Sequence, residues 1–252
     1  MKKFVSVVLA CAAMVSFAAE VVFNGNSAAV WSSKRLTDGA GIVTGTVGYA
    51  TIKSKDMIPV EAGKKYVVSG EFRLINPPEK APRIYFGFYP CNAEGREISY
   101  LHVTIASKNI LTVVKDVKAG DTSITLKGLP QWNPSQYCYI AFNVKEDKSD
   151  LPNFDISPAL DWKNMKKNAD GTCEVPTKKP FARAYAAGTA ARLHQAGASF
   201  VYAGYGRVGG EWVKFTKEFK TFYPGTAQIK LAFNAEIARC QIEMRNVTVT
   251  AE

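Results

Sequence analysis

Residues 211–250 constrain the fold more than any other part of the sequence. They contain three runs in which apolar and polar residues alternate: EWVKFTKEF, QIKLAF and CQIEMRNVTVT. This period of two is typical of β-strands with one face in the core and the other in water. In the last run the apolar residues keep one parity up to Met244 and take the opposite parity from Val247. One extra residue in a strand has this effect, so the sequence predicts a β-bulge at Arg245–Asn246 in an antiparallel sandwich.

Two upstream segments, YVVSGEFRL and RIYFGFYP, show the same alternation. Long helical periodicity is absent and Gly (19) and Pro (12) are frequent, which favours an all-β protein. From residue 113 the pattern changes to short strand-like runs such as AGDTSITL, YCYIAFNV and GTAARLH, separated by polar loops. We therefore predict a β-sandwich domain from residues 19–112 and 198–252, with a small β-rich module inserted at residues 113–197.

The first 18 residues have the composition of a secretory signal peptide. Two lysines precede an apolar run at residues 4–15, and small residues follow at the cleavage positions. The run is too short for a membrane anchor, and Cys11 comes too early in it for a lipoprotein. We expect cleavage after Ala18 and a protein that is secreted, periplasmic or at the cell surface, with no integral membrane segment.

The net charge of +10 narrows the choice of partners. A basic exported protein is attracted to acidic polysaccharides and anionic lipid head groups, although solubility explains the charge equally well. The basic residues form no run or stripe, so no nucleic-acid partner is predicted.

Four cysteines remain after cleavage, and an even number in an exported protein permits disulfides. Cys91–Cys240 and Cys138–Cys173 are the favoured pairs, because each lies within one predicted module. Buried free thiols are the alternative, since Cys138 and Cys240 fall within predicted strands.

Taken together, several segments resemble the jelly-roll carbohydrate-binding modules attached to bacterial glycoside hydrolases and related surface proteins. The resemblance rests on a glycine turn before YVVSGEFR, on IYFGFYPCNAEGREI, EWVKFTKEF and AQIKLAF, and on the closing IEMRNVTVT. It covers residues 21–107 and 199–250 and implies a sandwich that binds glycans. The inserted segment is similar to β-rich insertions in exported glycan-associated proteins. Many such modules place an acidic calcium ligand where this chain has Asn246, whose neutral amide weakens a calcium site.

RIYFGFYP is the strongest candidate for a glycan-binding surface. If Ile84, Phe86 and Phe88 fill the core, the residues between them point outward. Tyr85 and Tyr89 would then lie about 13 Å apart, a span suited to two or three sugar units. The apolar face of a pyranose binds a flat aromatic ring, and its hydroxyl rim needs polar partners at the edge.

Neighbouring residues are expected to complete this surface. Gly87, between the two tyrosines, is expected to leave the backbone clear for a ligand. Arg83 continues the same face, and Arg73 and Glu71 are expected to flank it from a neighbouring strand. Arginine can bind a carboxylate or sulfate through two hydrogen bonds. The alternative is that both tyrosines lie beneath the inserted module.

The tryptophans and one acidic cluster are further candidates. Trp212 opposes the core parity of its strand and Trp162 lies in a predicted polar loop, so both are ligand-binding candidates. Trp31 and Trp132 are weaker ones. Calcium has weak candidate ligands in an oxygen-rich stretch, namely Asp147, Asp150 and Asp155. This stretch lacks regular ligand spacing and contains lysines, so a solvated loop is the preferred interpretation.

The sequence contains no catalytic motif. Its imidazoles are His102 and His194, and His102 falls in a predicted strand, EISYLHVTI. No nucleophile elbow, phosphate-binding loop or HExxH motif is present. A carboxylate pair can come from distant strands and leave no local pattern. The acidic candidates for such a pair are Glu71, Glu94, Glu97 and Glu243.

The sequence therefore predicts an exported, non-catalytic protein that binds a polysaccharide, acidic glycans included, without a cofactor. The first alternative is a structural or adhesive protein that binds another cell-surface protein. The second is a glycoside hydrolase or lyase.

Overall fold

The fold is described from a computed structural model, which describes residues 19–106, 109–129 and 138–252. The predicted signal peptide, Cys11 and Trp132 lie outside these residues. The described part is all-β, with one four-residue helix, α1 (Tyr100–Val103), and short 3₁₀ helices at Ala28–Val30 and Trp162–Asn164. None of its helices combines the length and apolar character needed to span a bilayer.

The strands are β1 (Glu20–Asn24), β2 (Leu36–Gly39), β3 (Ile42–Val47), β4 (Ile52–Lys53), β5 (Ile58–Pro59), β6 (Tyr66–Ile75), β7 (Arg83–Cys91), β8 (Leu111–Val113), β9 (Ser123–Lys127), β10 (Cys138–Phe142), β11 (Lys166–Lys167), β12 (Thr172–Pro176), β13 (Ala190–Gln195), β14 (Val201–Arg207), β15 (Val213–Phe219), β16 (Gln228–Ala235) and β17 (Cys240–Ala251).

Two antiparallel sheets form a β-sandwich, as the sequence predicts. Sheet I has the strand order β15-β6-β17-β3-β2, and β1 pairs with β17 beside β3. Sheet II has the order β14-β7-β16-β4, and β5 also pairs with β16. The inner faces pack through aromatic rings. The ring centroid of Phe72 in sheet I lies 5.0 Å from that of Phe86 and 6.0 Å from that of Phe233, both in sheet II. The alternation in β6 and β7 thus produces one core shared by both sheets.

The predicted β-bulge is present in β17. Its register against β6 shifts between Arg245 and Thr248, and Asn246 has a φ of +51°. Met244 and Val247 are both fully buried although they are three residues apart. Because the bulge adds one residue, the apolar side chains on both sides of it face the core.

A third antiparallel sheet, sheet III, has the order β10-β13-β8-β9-β12-β11. All of its strands lie between residues 111 and 195, and its buried residues form a second hydrophobic cluster that includes Leu126, Ile140 and Phe142. This is the region in which the sequence predicts a β-rich module. Its independence as a module stays a prediction.

The prediction of a strand over EISYLHVTI was wrong at its centre, which forms α1. The backbone N–H of Ser99 donates to Nδ1 of His102 at 2.9 Å, and Thr104 N–H donates to the carbonyl of Tyr100 at 2.8 Å. A local hydrogen bond of this kind between a side chain and the backbone competes with the pairing of a strand, so the chain forms a helical turn here.

The predicted disulfides are absent, and Cys91, Cys138, Cys173 and Cys240 are free thiols. Three strands separate β10, which carries Cys138, from β12, which carries Cys173. At about 4.8 Å per strand this separation far exceeds the Cα distance of a disulfide. Cys91 lies in sheet II and Cys240 in sheet I. Burial raises the pKa of Cys138 to about 12, so this thiol is protonated and unreactive at neutral pH.

Candidate functional site

The outer face of sheet II carries the two tyrosines singled out in the sequence. In β7, Ile84, Phe86 and Phe88 are buried in the core, whereas Tyr85 and Tyr89 are partly exposed. The alternation therefore predicts the facing of this strand correctly. Neither tyrosine is sealed beneath sheet III.

Three aromatic residues that the sequence analysis did not select lie beside them. Tyr85 stacks on Tyr205 with ring centroids 6.2 Å apart and 24° between the planes, and it lies 5.9 Å from Tyr202. Phe200 lies 4.9 Å from Tyr202 and 5.2 Å from Tyr89. We call these five residues the aromatic strip. Tyr205 and Tyr202 are 62% and 42% exposed, so the strip is open to solvent.

A second β-bulge brings Tyr202 and Tyr205 to the same face. The register of β14 against β7 shifts between Tyr202 and Gly204, and Tyr205 then pairs with Tyr85. Residues three apart in a regular strand point to opposite faces, so the simple parity rule separates these two tyrosines. The two glycines of the segment YAGYG are the only sequence signal of this irregularity.

The expected role of Gly87 was wrong. A Cβ atom at this position would lie 2.0 Å from the carbonyl oxygen of Val201, in the neighbouring strand β14. The missing side chain therefore allows β14 to approach β7 at its bulge, and it does not clear the backbone for a ligand. Gly87 contributes to the strip indirectly, because it allows β14, the strand that carries Tyr202 and Tyr205, to pack closely against β7.

Charged groups border the strip at both ends. At one end the ammonium group of Lys53 lies 3.9 Å from the ring centre of Tyr89 and forms an ion pair with Glu97. At the other end Arg83 is exposed, and its guanidinium lies 3.5 Å from the carboxylate of Glu236. These groups can donate to or accept from hydroxyl groups of a ligand that lies on the rings.

Arg73 and Glu71 do not flank the tyrosines, contrary to the prediction. They lie on β6, whose outer face belongs to sheet I on the opposite side of the sandwich. There Arg73 binds Glu243 at 2.5 Å, and Arg245 binds Glu71 at 2.8 Å. The hydrogen bond from Arg245 holds the pKa of Glu71 below its usual value.

Trp212 lies on this same face of sheet I. The guanidinium groups of Arg73 and Arg245 lie 4.7 and 4.2 Å from its ring centre. Both arginines are also ion-paired with glutamates, so the indole is part of a cross-strand network. It is separate from the aromatic strip.

Trp162 and Trp31 are core residues rather than exposed platforms. Trp162 is 8% exposed and lies in the hydrophobic cluster of sheet III, so the loop-mounted platform predicted from its polar neighbours was wrong. Trp31 is 1% exposed, and its indole N–H donates to the carbonyl of Gly25 at 2.9 Å.

The acidic stretch proposed for calcium is occupied by donors of the protein. Asp150 binds Arg192 at 2.7 Å, and Asp155 accepts from the hydroxyl group of Tyr185 at 2.8 Å. Asp147 accepts from a nearby backbone N–H at 3.0 Å. Within the described ranges, no three His, Cys, Asp or Glu residues are arranged to hold a metal ion.

The carboxylates considered for catalysis are engaged in ion pairs, except for one. Glu71 and Glu243 bind arginines on sheet I, and Glu97 binds Lys53 on sheet II. Glu94 is exposed in a turn. His194 is fully buried, where its Nε2 accepts from the guanidinium of Arg192 at 3.1 Å, and burial lowers its pKa.

Comparison of the chain with known protein families, with curated proteins and with solved structures found no match in any of the three. The resemblance to jelly-roll carbohydrate-binding modules thus stays a prediction from the sequence.

Proposed function

We propose that this protein binds a polysaccharide without cleaving it, and that the aromatic strip on sheet II is the binding surface. The observation that carries the proposal is the contact between five aromatic rings on one open sheet face. Single exposed aromatic residues are ordinary on protein surfaces, whereas a contiguous cluster marks an interaction site.

The chemistry of the strip suits a sugar ring. Four of its five residues are tyrosines, which combine an apolar face with a hydroxyl group that can donate or accept. A pyranose offers the complementary pair, an apolar C–H face and a rim of hydroxyls. Tyr85 and Tyr89 are four residues apart on β7, which corresponds to about 13 Å and to two or three sugar units.

Binding is tested by affinity gel electrophoresis against neutral and acidic polysaccharides, followed by calorimetry with oligosaccharides of the polysaccharide that retards the protein. Tyr205→Ala and Tyr85→Ala each remove a stacked ring, and each should weaken binding about tenfold, or about 1.4 kcal/mol. Tyr49→Ala is the matched control, because Tyr49 is 67% exposed and makes no ring contact with the strip. Equal retardation of all three variants would rule out the strip as the site.

Product analysis with the same polysaccharides separates binding from catalysis. A binding protein leaves the polysaccharide intact, so prolonged incubation should release neither new reducing ends nor unsaturated products. Release of either one would favour a hydrolase or lyase.

A structural or adhesive role is the second candidate, favoured by one feature of the strip. Tyr202 and Tyr205 lie on β14, an edge strand of sheet II, and tyrosines are enriched at protein interfaces. In that case the strip would be covered by protein. Self-association measured by analytical ultracentrifugation, with Tyr205→Ala as the disrupting variant, would support this role.

Export is part of the proposal and has its own test. Full-length chain expressed in a bacterial host should be recovered outside the cytoplasm with a new amino terminus at Ala19. A cytoplasmic product that retains residues 1–18 would contradict it.

A further inference from the structure

Two arginines occupy paired positions on neighbouring strands at one end of the aromatic strip. In the register of β7 and β14, Arg83 is opposite Arg207, and both are exposed. Two residues further along each strand, Tyr85 is opposite Tyr205. Side chains two apart in a strand share a face, so the arginine pair and the stacked tyrosine pair lie side by side on the outer face of sheet II.

Like charges placed directly opposite in an antiparallel pair are destabilising. The fold compensates for this pair only in part. Arg83 has Glu236 at 3.5 Å, but both side chains are nearly half exposed and such pairs contribute little. Arg207 donates at 2.6 Å to the carbonyl of Ala81, which is a neutral acceptor. Among the described residues, no carboxylate lies within ion-pair distance of Arg207.

We infer that Arg83 and Arg207 form an anion-binding subsite of the glycan-binding surface, which selects a sugar bearing a carboxylate or sulfate group. The inference rests on the proposed function and specifies the class of glycan. A sugar ring stacked over Tyr85 and Tyr205 would place a charged substituent near the guanidinium groups, about 7 Å away along the strands. A planar guanidinium binds such an anion through two parallel hydrogen bonds, and the anion would relieve the repulsion between the arginines.

The hydrogen bond to Ala81 prepares Arg207 for this role. It uses one amino group of the guanidinium and restrains the side chain, while the remaining N–H groups stay available to a ligand. Among the described residues at the borders of the strip, Lys53 and Lys230 balance the carboxylates of Glu97 and Glu236. Arg83 and Arg207 therefore give this surface its positive charge.

The test compares pairs of probes that share a sugar backbone and differ in whether they carry charged groups. Polygalacturonate is compared with fully methyl-esterified polygalacturonate, and dextran sulfate with dextran, so the two pairs distinguish carboxylate from sulfate. The wild-type protein should prefer the charged member of at least one pair by about tenfold, and this preference should fall with added salt.

Arg207→Gln should remove most of that preference and leave binding of the uncharged member within about twofold. Arg239→Gln is the matched control, because it removes the same charge from an exposed arginine outside the strip. Arg207→Gln should also leave the thermal midpoint unchanged or raise it, since it removes one of two like charges at paired positions. A purely structural arginine would give a lower midpoint.

The outcomes separate the subsite from the strip. If Arg207→Gln and Arg239→Gln lose affinity for the charged probe equally, or if the wild type binds both members of each pair equally, the subsite is wrong and the strip stands. If Tyr205→Ala leaves all binding unchanged, or no polysaccharide of the wider screen retards the wild type, the proposed function fails and the subsite fails with it.

Discussion

Replacing Gly87 by alanine should displace the strand that carries two rings of the aromatic strip. The added Cβ would lie 2.0 Å from the carbonyl oxygen of Val201 and 3.0 Å from Cα of Tyr202, both backbone atoms of β14. Because Cβ contacts below 3.0 Å are essentially never found, that carbonyl must move by about 1 Å. A shift of this size is enough to break the hydrogen bonds of the adjacent ladder pairs.

The expected cost is about 2–4 kcal/mol in the free energy of unfolding. The loss of two ladder hydrogen bonds contributes about 0.5–1.5 kcal/mol each, and overpacking contributes about 1–3 kcal/mol. Together these terms span about 2–6 kcal/mol. The expected cost lies in the lower half of that span, because β14 is an edge strand and can move outward. Urea unfolding measures the change as a lower midpoint at constant slope. Gly39→Ala is the control, because its Cβ would have no atom within 4 Å and its stability should change by less than about 0.5 kcal/mol.

The same substitution should weaken glycan binding although no aromatic ring is removed, since Tyr202 and Tyr205 move with β14. Two results would refute the reasoning. One is a Gly87→Ala variant as stable as the wild type, which would mean that β14 accommodates the methyl group. The other is full glycan affinity in a destabilised variant, which would mean that the position of β14 does not set the binding surface.

Three further predictions concern residues outside the strip. Asn246→Val should destabilise the protein by about 1–3 kcal/mol, because a β-branched residue is strained at a φ of +51°. Asn246→Gly should cost less than about 1 kcal/mol, because glycine adopts this conformation without strain. Equal urea midpoints of the two variants would contradict this prediction. Asp150→Asn should cost about 3–5 kcal/mol in the same assay, because it leaves the guanidinium of Arg192, 3% exposed, without its counter-charge; a loss below about 1 kcal/mol would show that the pair is dispensable. The pKa of His102 is lowered to about 4, mainly by burial. Between pH 6.5 and 4 the unfolded chain therefore binds a proton more readily than the folded protein, and the thermal midpoint should decrease as the pH is lowered through this window. His102→Gln retains an acceptor for the N–H of Ser99 and should make this part of the profile shallower, although the lowered pKa of His194 still contributes a slope of the same sign. An unchanged slope would contradict the assignment.

The sequence predicted the parts of the fold that depend on alternation within one strand. The β17 bulge followed from a parity change between Met244 and Val247, and the outward facing of Tyr85 followed from its apolar neighbours. Both are local properties, because neighbouring side chains in a strand must point to opposite faces.

Relationships between strands were not accessible in the same way. Arg73 and Tyr85 both point outward, but β6 and β7 belong to different sheets, so their outer faces lie on opposite sides of the sandwich. The loop between them, residues 76–82, has a length that fits either a hairpin within one sheet or a crossing between two. Tyr202 was missed because the β14 bulge follows no apolar pattern. Trp162 was misplaced because its polar neighbours predicted a surface loop, whereas packing against sheet III buried the ring.

The position of β17 also bears on how the protein acquires its structure. This strand lies between β6 and β3 in sheet I, and it is synthesised after every other described strand of the sandwich. Until residue 251 has left the ribosome, β6 and β3 have no partner between them, and the pairing of β1 with β17 joins segments more than 200 residues apart. Such distant pairings slow folding, so sheet I should be completed only after β17 has emerged from the ribosome.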